Sequence, residues 1–291
     1  MAMLRLLLLG GTGRLGSAVL REAGTWASLA VRAPTRDEAD LARLTADGAR
    51  ALVDPELIDV VLNCAAAAHV DRCESERHEA HAVNAVAPGL LAEACARVGL
   101  PFLHISTDYV FGGGAGPYAE DAAPCPVQHY GVTKAEGERR VLAAGGRGTI
   151  ARVSWLFGPG ATPFADWVLG QVDRAEAAVF AEQQSRPTWI PGLASWLLDV
   201  CSVLEHGSFA PRILHPAGGP HASRAEWARA ILDARGHHDV RVVSQSSPPP
   251  APRPSDSRLD STRTDDWVLA TFADPFGTSP LPRIPDWRDH V

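Results

Sequence analysis

Tyr130 and Lys134 stand four residues apart in the run His129-Tyr130-Gly131-Val132-Thr133-Lys134-Ala135-Glu136. On a helix, positions i and i+4 share a face, so the phenol and the amine would project into one space. A free phenol titrates near pH ~10, too high for easy proton transfer at neutral pH. A nearby ammonium stabilises the phenolate and would lower that value. Lys134 is the one lysine among 27 strong bases, and every other is arginine. An arginine would bring its charge as a broad planar fork with a different fit. Tyr-x3-Lys alone also describes two surface residues of an ordinary helix, so its chemical reading depends on the rest of the chain.

The apolar run Leu4–Leu9 predicts a buried strand of a parallel sheet. Gly10-Gly11-Thr12-Gly13-Arg14-Leu15-Gly16 follows at once and leads into a helix reaching about Ala23. Glycines at 10, 13 and 16 let backbone approach a pyrophosphate and aim a helix N-terminus at it. A plain glycine-rich turn has the same composition, but the strand-turn-helix context favours dinucleotide binding. Leu29-Ala30-Val31 reads as the second strand. Its end carries Arg32 and Arg36 in place of an immediate carboxylate, with Arg14 adding charge nearby. That pattern suits a ribose 2′-phosphate, so NADPH is expected, with NADH as the alternative because Asp37 is close.

Two further strand ends carry polar or small residues. Leu57–Asn63 is a predicted strand followed by Cys64-Ala65-Ala66-Ala67-Ala68, whose small side chains leave room for a cofactor or open a helix. Pro101–Ile105 is another, ending in Ser106-Thr107-Asp108-Tyr109. A hydroxyl there can hydrogen-bond a substrate carbonyl, although Ser, Thr and Asp also favour strand-end turns. His78 and His81 have a spacing that can hold a metal, but further ligands are lacking nearby, so no metal is expected.

Strand and helix alternate to about Gly160, which predicts a doubly wound parallel α/β sheet of Rossmann type over residues 1–160. Residues 161–291 are less regular and read as a smaller α/β substrate domain, some of whose segments return to the first. Helices are expected from the Thr35-Arg36-Asp37-Glu38 capping box, over 76–98, 163–174 and 193–204, and from the Ser223–Glu226 capping box to about Ala234. A short strand is expected over 178–180. Ser246–Pro254 reads on composition as a linker or extended loop.

Composition bounds the function. At 46% hydrophobic and 21% charged, the 291 residues are those of a soluble globular protein. A net charge of -7 without any basic run argues against a nucleic-acid partner. The N-terminal leucine run is too short for a signal peptide, and no stretch is long enough for a membrane span. Five cysteines without pairing or zinc spacing fit a reducing cytoplasm.

Together these segments resemble the extended short-chain dehydrogenase/reductase superfamily and, within it, the dTDP-4-dehydrorhamnose reductase group. The likeness covers nearly the whole chain. It rests on the glycine loop 10–16, on Asn63-Cys64-Ala65-Ala66 with Val70-Asp71 and Glu74, and on Ser106-Thr107-Asp108-Tyr109-Val110-Phe111. It continues through Tyr130–Lys134, Arg152–Trp155, Gln183 with Pro187-Thr188, Arg253-Pro254 with Ser257 and Leu259, and Pro285–Arg288. The resemblance implies NAD(P)H-dependent reduction of a 4-keto group on a nucleotide-activated 6-deoxy sugar. Tyr130 would donate the proton, Lys134 would lower the Tyr130 pKa and hold the nicotinamide ribose, and Thr107 would hold the carbonyl oxygen. Ala65 and Ala66 would lie beside the cofactor. Asp108, Trp155 and Arg253 would meet the substrate, Arg253 at its diphosphate. Ala68, Gly112, Ser185 and Ala181-Glu182 depart from the group's pattern, which leaves the sugar and any metal at a dimer contact open. A homodimer is also left open. Two other readings stand beside this one: a sugar-nucleotide epimerase or dehydratase of the same superfamily, and a non-catalytic NADP-binding regulatory protein, because a regulatory subunit of methionine adenosyltransferase resembles the same group.

Overall fold

The computed structural model describes residues 3–160, 162–207, 211–216, 218–245, 247, 249–272 and 284–291. In its first half, β1 (Leu4–Leu9), α1 (Arg14–Ala23), β2 (Leu29–Arg32), α2 (Ala46–Leu52) and β3 (Val60–Asn63) are followed by α3 (Val70–Ser75), α4 (Arg77–His81), α5 (Ala87–Val98), β4 (Pro101–Thr107), α6 (His129–Ala143) and β5 (Arg147–Val153). The second half contains β6 (Leu156–Phe157), α7 (Pro163–Leu169), β7 (Glu176–Val179), β8 (Gln184–Ser185), β9 (Thr188–Trp189), α8 (Ile190–Glu205), β10 (Ile213–Leu214), β11 (Ala222–Ser223), α9 (Arg224–Ala234), β12 (Arg241–Ser244) and α10 (Thr262–Phe272).

Six parallel strands form the central sheet in the order β2-β1-β3-β4-β5-β10. Their apolar runs are continuous because both faces are covered. Apolar side chains of α1, α8 and α10 pack on one face, and those of α2, α5 and α6 on the other. The strand order reverses between β1 and β3. Such a switch point opens a crevice at the carboxyl ends of the strands, where open α/β sheets bind ligands.

The second half departs from simple alternation. The pairs β7–β12, β8–β11 and β6–β9 surround a separate core that includes Phe157, Val168, Val179, Trp227, Ile231 and Trp287. Three of its segments return to the first sheet: β10 pairs with β5, α8 packs beside α1, and α10 adds Trp267 and Val268 to the same face. Strand β12 and helix α10 had no strong sequence pattern. Among the described residues, no helix is long and apolar enough to cross a membrane.

Three expected helices differ; the one expected over 163–174 ends as α7 at Leu169, with a separate 3-10 turn at Val172–Arg174. Thr35 donates through both N and Oγ1 to Glu38 Oε2, which is one half of a capping box. No α-helix follows; the chain turns, and Asp40 caps a short 3-10 turn at Leu41–Arg43 instead. The helix expected over 76–98 is split by a π-helical turn, Ala82–Val86, which brings the buried Asn84 inward. Such turns recur at functional sites.

A buried ion pair joins the layers. Arg152 of β5 donates through Nε and Nη2 to both oxygens of Glu138 on α6, and both side chains are almost inaccessible. Ser106 of β4 also donates to Glu138, and Arg152 reaches the Glu120 carbonyl. Removing one member leaves an uncompensated buried charge, at a cost of about 3–5 kcal/mol. Glu138→Gln is therefore expected to lower unfolding stability by that amount in urea titrations, and adding Arg152→Met to recover most of it. A single-variant loss below about 1 kcal/mol would contradict the assignment.

Candidate active site

The carboxyl ends of β1, β3, β4 and β5 open onto a cavity of about 700 Å³. Of the residues singled out by sequence, Gly10, Thr12, Gly13, Arg14, Leu15, Arg36, Ala65, Ala66, Thr107, Asp108, Tyr130, Lys134 and Trp155 line it. Gly16, Arg32 and Arg253 are not among its lining residues.

The nucleotide side is built by close backbone approach. Gly10 has φ +80°, and a Cβ there would lie 2.6 Å from Ala65 N, so neither the conformation nor the space admits a side chain. Gly16 serves packing: its Cβ would lie 2.1 Å from the Gly10 carbonyl oxygen. Helix α1 begins without a side-chain cap and without an acidic residue in its first turn. Its leading N–H groups and dipole therefore face the cavity edge formed by residues 10–15 and fit a dinucleotide diphosphate. Arg36 sits exposed at the rim, ion-paired with Glu79 at 2.9 Å. Arg32 is exposed outside the cavity.

Tyr130 and Lys134 both project from α6 into the floor, but the lysine acts differently from the expectation. Burial pushes the Tyr130 phenol above its ordinary value, and the neighbouring Thr107 hydroxyl offsets only part of that rise. The lowering expected from Lys134 is not found. The amine of Lys134, itself 1% exposed, instead donates to the Ile105 carbonyl at 2.6 Å and lies 3.1 Å from His104 Nε2. A helix face shared with Tyr130 leaves the long side chain free to reach across to β4. Burial lowers the Lys134 value to about 8, with Glu138 and Cys64 pulling the other way.

Asn84 escaped the sequence reading because it was embedded in an expected uniform helix. Its amide accepts from Ala67 N at 2.9 Å and donates to Ala67 O and Thr133 Oγ1, both at 3.1 Å. It thus ties the loop after β3 to α6. A single asparagine within Ala82-Val83-Asn84-Ala85-Val86 was the available signal.

The second half supplies an aromatic wall and a cation. Trp155, held at φ +40°, stacks on Trp227 with ring centroids 5.4 Å apart. The Arg224 guanidinium lies 3.7 Å from the Trp155 ring centre and 4.5 Å from that of Phe164. Burial lowers the Arg224 value, with Tyr109 and Asp108 opposing that shift. Arg224 was visible in sequence only as the first residue of a capped helix. Arg253, outside the lining residues, donates to Asp71 Oδ1 at 3.0 Å and to the Ala251 carbonyl at 2.7 Å.

Asp108 joins the halves. Its Oδ2 accepts from Ser185 Oγ at 2.8 Å and Ser257 Oγ at 2.5 Å, and its Oδ1 accepts from Thr107 Oγ1 at 3.2 Å. Burial pushes its carboxyl up to about 6, against the lowering effect of Ser257, Ser185 and Thr107. A carboxyl whose value rises on folding favours the protonated native state. Its contribution is full below the unfolded value near ~4 and is lost as pH rises through about 6. Asp108→Asn, which keeps an acceptor oxygen without the charge, is expected to remove that loss. Urea unfolding at pH 4.5 and 7.5 should show wild type losing about 2 kcal/mol relative to the variant. Parallel pH profiles for the two proteins would contradict this.

Comparison with known proteins agrees with this architecture. Residues 4–273 match the family model described as RmlD substrate binding domain. A dTDP-4-dehydrorhamnose reductase of Mycolicibacterium smegmatis is 41% identical over 74% of this chain and 67% of its own length. One from Mycobacterium tuberculosis is 35% identical over 91% of this chain and 87% of its own. A crystal structure of dTDP-4-dehydrorhamnose reductase from Bacillus anthracis in complex with NADP superposes with a TM-score of 0.82 at 25% identity, covering 99% of this chain and 96% of the other. A six-stranded parallel sheet, a glycine loop at its switch point and these matches lead to one family: the chain belongs to the dTDP-4-dehydrorhamnose reductases of the extended short-chain dehydrogenase/reductase superfamily.

Proposed function

We propose that the chain reduces the 4-keto group of a dTDP-linked 6-deoxy sugar with NADPH. The observation that carries this reading is that Tyr130, Thr107 and Lys134 line the same cavity as the glycine loop. The relatives' shared reductase activity and the NADP bound by the Bacillus anthracis protein support the substrate class and the cofactor.

The glycine loop and the uncapped start of α1 would hold the cofactor diphosphate, and Arg36 and Arg14 would flank its phosphorylated ribose. Bound there, the nicotinamide supplies a hydride. Tyr130 and Thr107 both line the cavity, where a carbonyl oxygen can accept from the Tyr130 hydroxyl and from the Thr107 hydroxyl, the latter in exchange for its bond to Asp108. Because burial favours the neutral phenol, Tyr130 carries its proton at neutral pH and can deliver it to the forming alkoxide. Lys134 lies behind them and supplies positive charge as that proton leaves.

Arg224 takes the anion-binding role that sequence assigned to Arg253. It lines the cavity as a partly buried cation beside Trp155, and no carboxylate lies within ion-pair distance of it among the described residues. A sugar diphosphate fits that charge. Trp155, one face of which Arg224 covers, would border the sugar. Asp108 acts through Thr107 and the two serines more than as a free ligand. This reading places the enzyme in the cytoplasm, in keeping with its five unpaired cysteines, and keeps the homodimer as an expectation.

Tyr130→Phe is expected to lower NADPH oxidation by the sugar nucleotide at least about 100-fold while leaving NADPH binding, read through tryptophan fluorescence, unchanged. Unaltered turnover would reject the assignment. Arg224→Met is expected to raise KM for the sugar nucleotide about 10- to 100-fold with a smaller change in kcat, because a charged hydrogen bond to phosphate is lost. A change confined to kcat would remove Arg224 from the binding role.

A further inference from the structure

Lys134 ends a buried hydrogen-bond chain whose polarity can be read from its first member. The backbone N–H of Ala65 donates to Asn63 Oδ1 at 3.1 Å. A backbone amide only donates, so that oxygen is the acceptor and Asn63 Nδ2 is the donor. Asn63 Nδ2 lies 3.2 Å from His104 Nδ1, which is therefore the unprotonated ring nitrogen. Burial holds His104 well below the ordinary histidine value, so the ring is neutral and its proton lies on Nε2. That N–H faces Lys134 Nζ at 3.1 Å.

An ammonium has three donors and no acceptor. Charged Lys134 consequently sets donor against donor at His104. A neutral amine has a lone pair for the His104 N–H and still donates to the Ile105 carbonyl at 2.6 Å. Switching the imidazole tautomer gives no relief, because Nδ1–H would then oppose Asn63 Nδ2. Asn63 cannot turn without abandoning the Ala65 N–H. Both Asn63 and His104 are 0% exposed, which keeps water from repairing the mismatch.

The other groups facing Lys134 do not reverse this. Glu138, one turn further along α6, favours the ammonium but is already paired with Arg152 of β5. Cys64, after β3, has a thiol that burial pushes up to about 12 and is neutral. Tyr130 on α6 is a neutral phenol.

We propose that Asn63 and His104 are positioning residues that penalise the charged form of Lys134 and so set the pH above which the reaction fails. The second half of that statement rests on the reductase reading; the first does not. A lysine with a folded value below the ordinary ~10.4 loses its charge as pH rises through the lowered value. Tyr130 then gives up its proton without a cationic neighbour.

The sole lysine makes a direct test available. Protein grown on lysine carrying 13C at Cε gives one lysine Cε signal, and its pH titration by NMR reads Lys134 alone. The expected wild-type midpoint is about 8. His104→Gln offers an amide oxygen where Nε2 now lies. Asn63→Asp draws the ring proton to Nδ1 and leaves Nε2 as an acceptor. Each should move the midpoint up by about one pH unit or more, with the alkaline limb of kcat/KM moving in parallel. An ordinary midpoint near ~10 in wild type, or unmoved midpoints in folded variants, would overturn the proposal. A midpoint that shifts as expected in a protein without reductase activity would support the hydrogen-bond argument while rejecting the functional reading.

Discussion

The site exists because helix α6 comes unusually close to its neighbours. A Cβ at Gly131 would lie 2.1 Å from the Tyr109 carbonyl oxygen, and one at Gly137 would lie 2.1 Å from that of Asn84. Any side chain at either position would push the helix outward. The contacts that depend on this approach tie α6 to the sheet and to the loop after β3: Lys134 to Ile105, and Thr133 to Asn84. Chemistry at the sheet edge is therefore built from packing geometry first and from charged side chains second.

The second half is coupled to that floor through polar contacts that have few alternatives. Ser185 and Ser257 converge on Asp108, next to Thr107, so the segments carrying them are held at the end of β4. Arg152 and Glu138 bind β5 to α6 from behind, and Arg152 also meets His215 beyond β10 at 3.4 Å. These groups are nearly inaccessible to water, where a missing partner is costly. The aromatic wall of Trp155, Phe164 and Trp227 closes the opposite side and carries Arg224 into the cavity.

Much of this was legible where the signal is local. An apolar run, glycines at fixed spacing and a helix marked β1, the loop and α1, because each follows from backbone needs within a few residues. The i, i+4 pairing put Tyr130 and Lys134 on one helix face. It could not say that Lys134 reaches the Ile105 carbonyl and His104, since those partners lie about thirty positions upstream. Arg224 and Asn84 stayed hidden for the same reason: one is brought to the cavity by the second core, the other by a π-helical turn. An arginine suits phosphate by type, but the ion pair of Arg253 with Asp71 spans 182 positions and could not be read from the sequence. The Thr35 capping pattern formed only its Glu38 half and no helix, because a cap does not supply the packing that extends one.

The account's central claim is net hydride transfer to the sugar, and isotope transfer tests it most directly. NADPH deuterated at the transferring position of the nicotinamide would be incubated with a dTDP-4-keto-6-deoxy sugar, and the product examined by NMR and mass spectrometry. The account predicts one deuterium at sugar C4 for each cofactor oxidised. A rearranged or dehydrated sugar formed without net cofactor oxidation would contradict it and place this chain among the epimerases or dehydratases that share its fold.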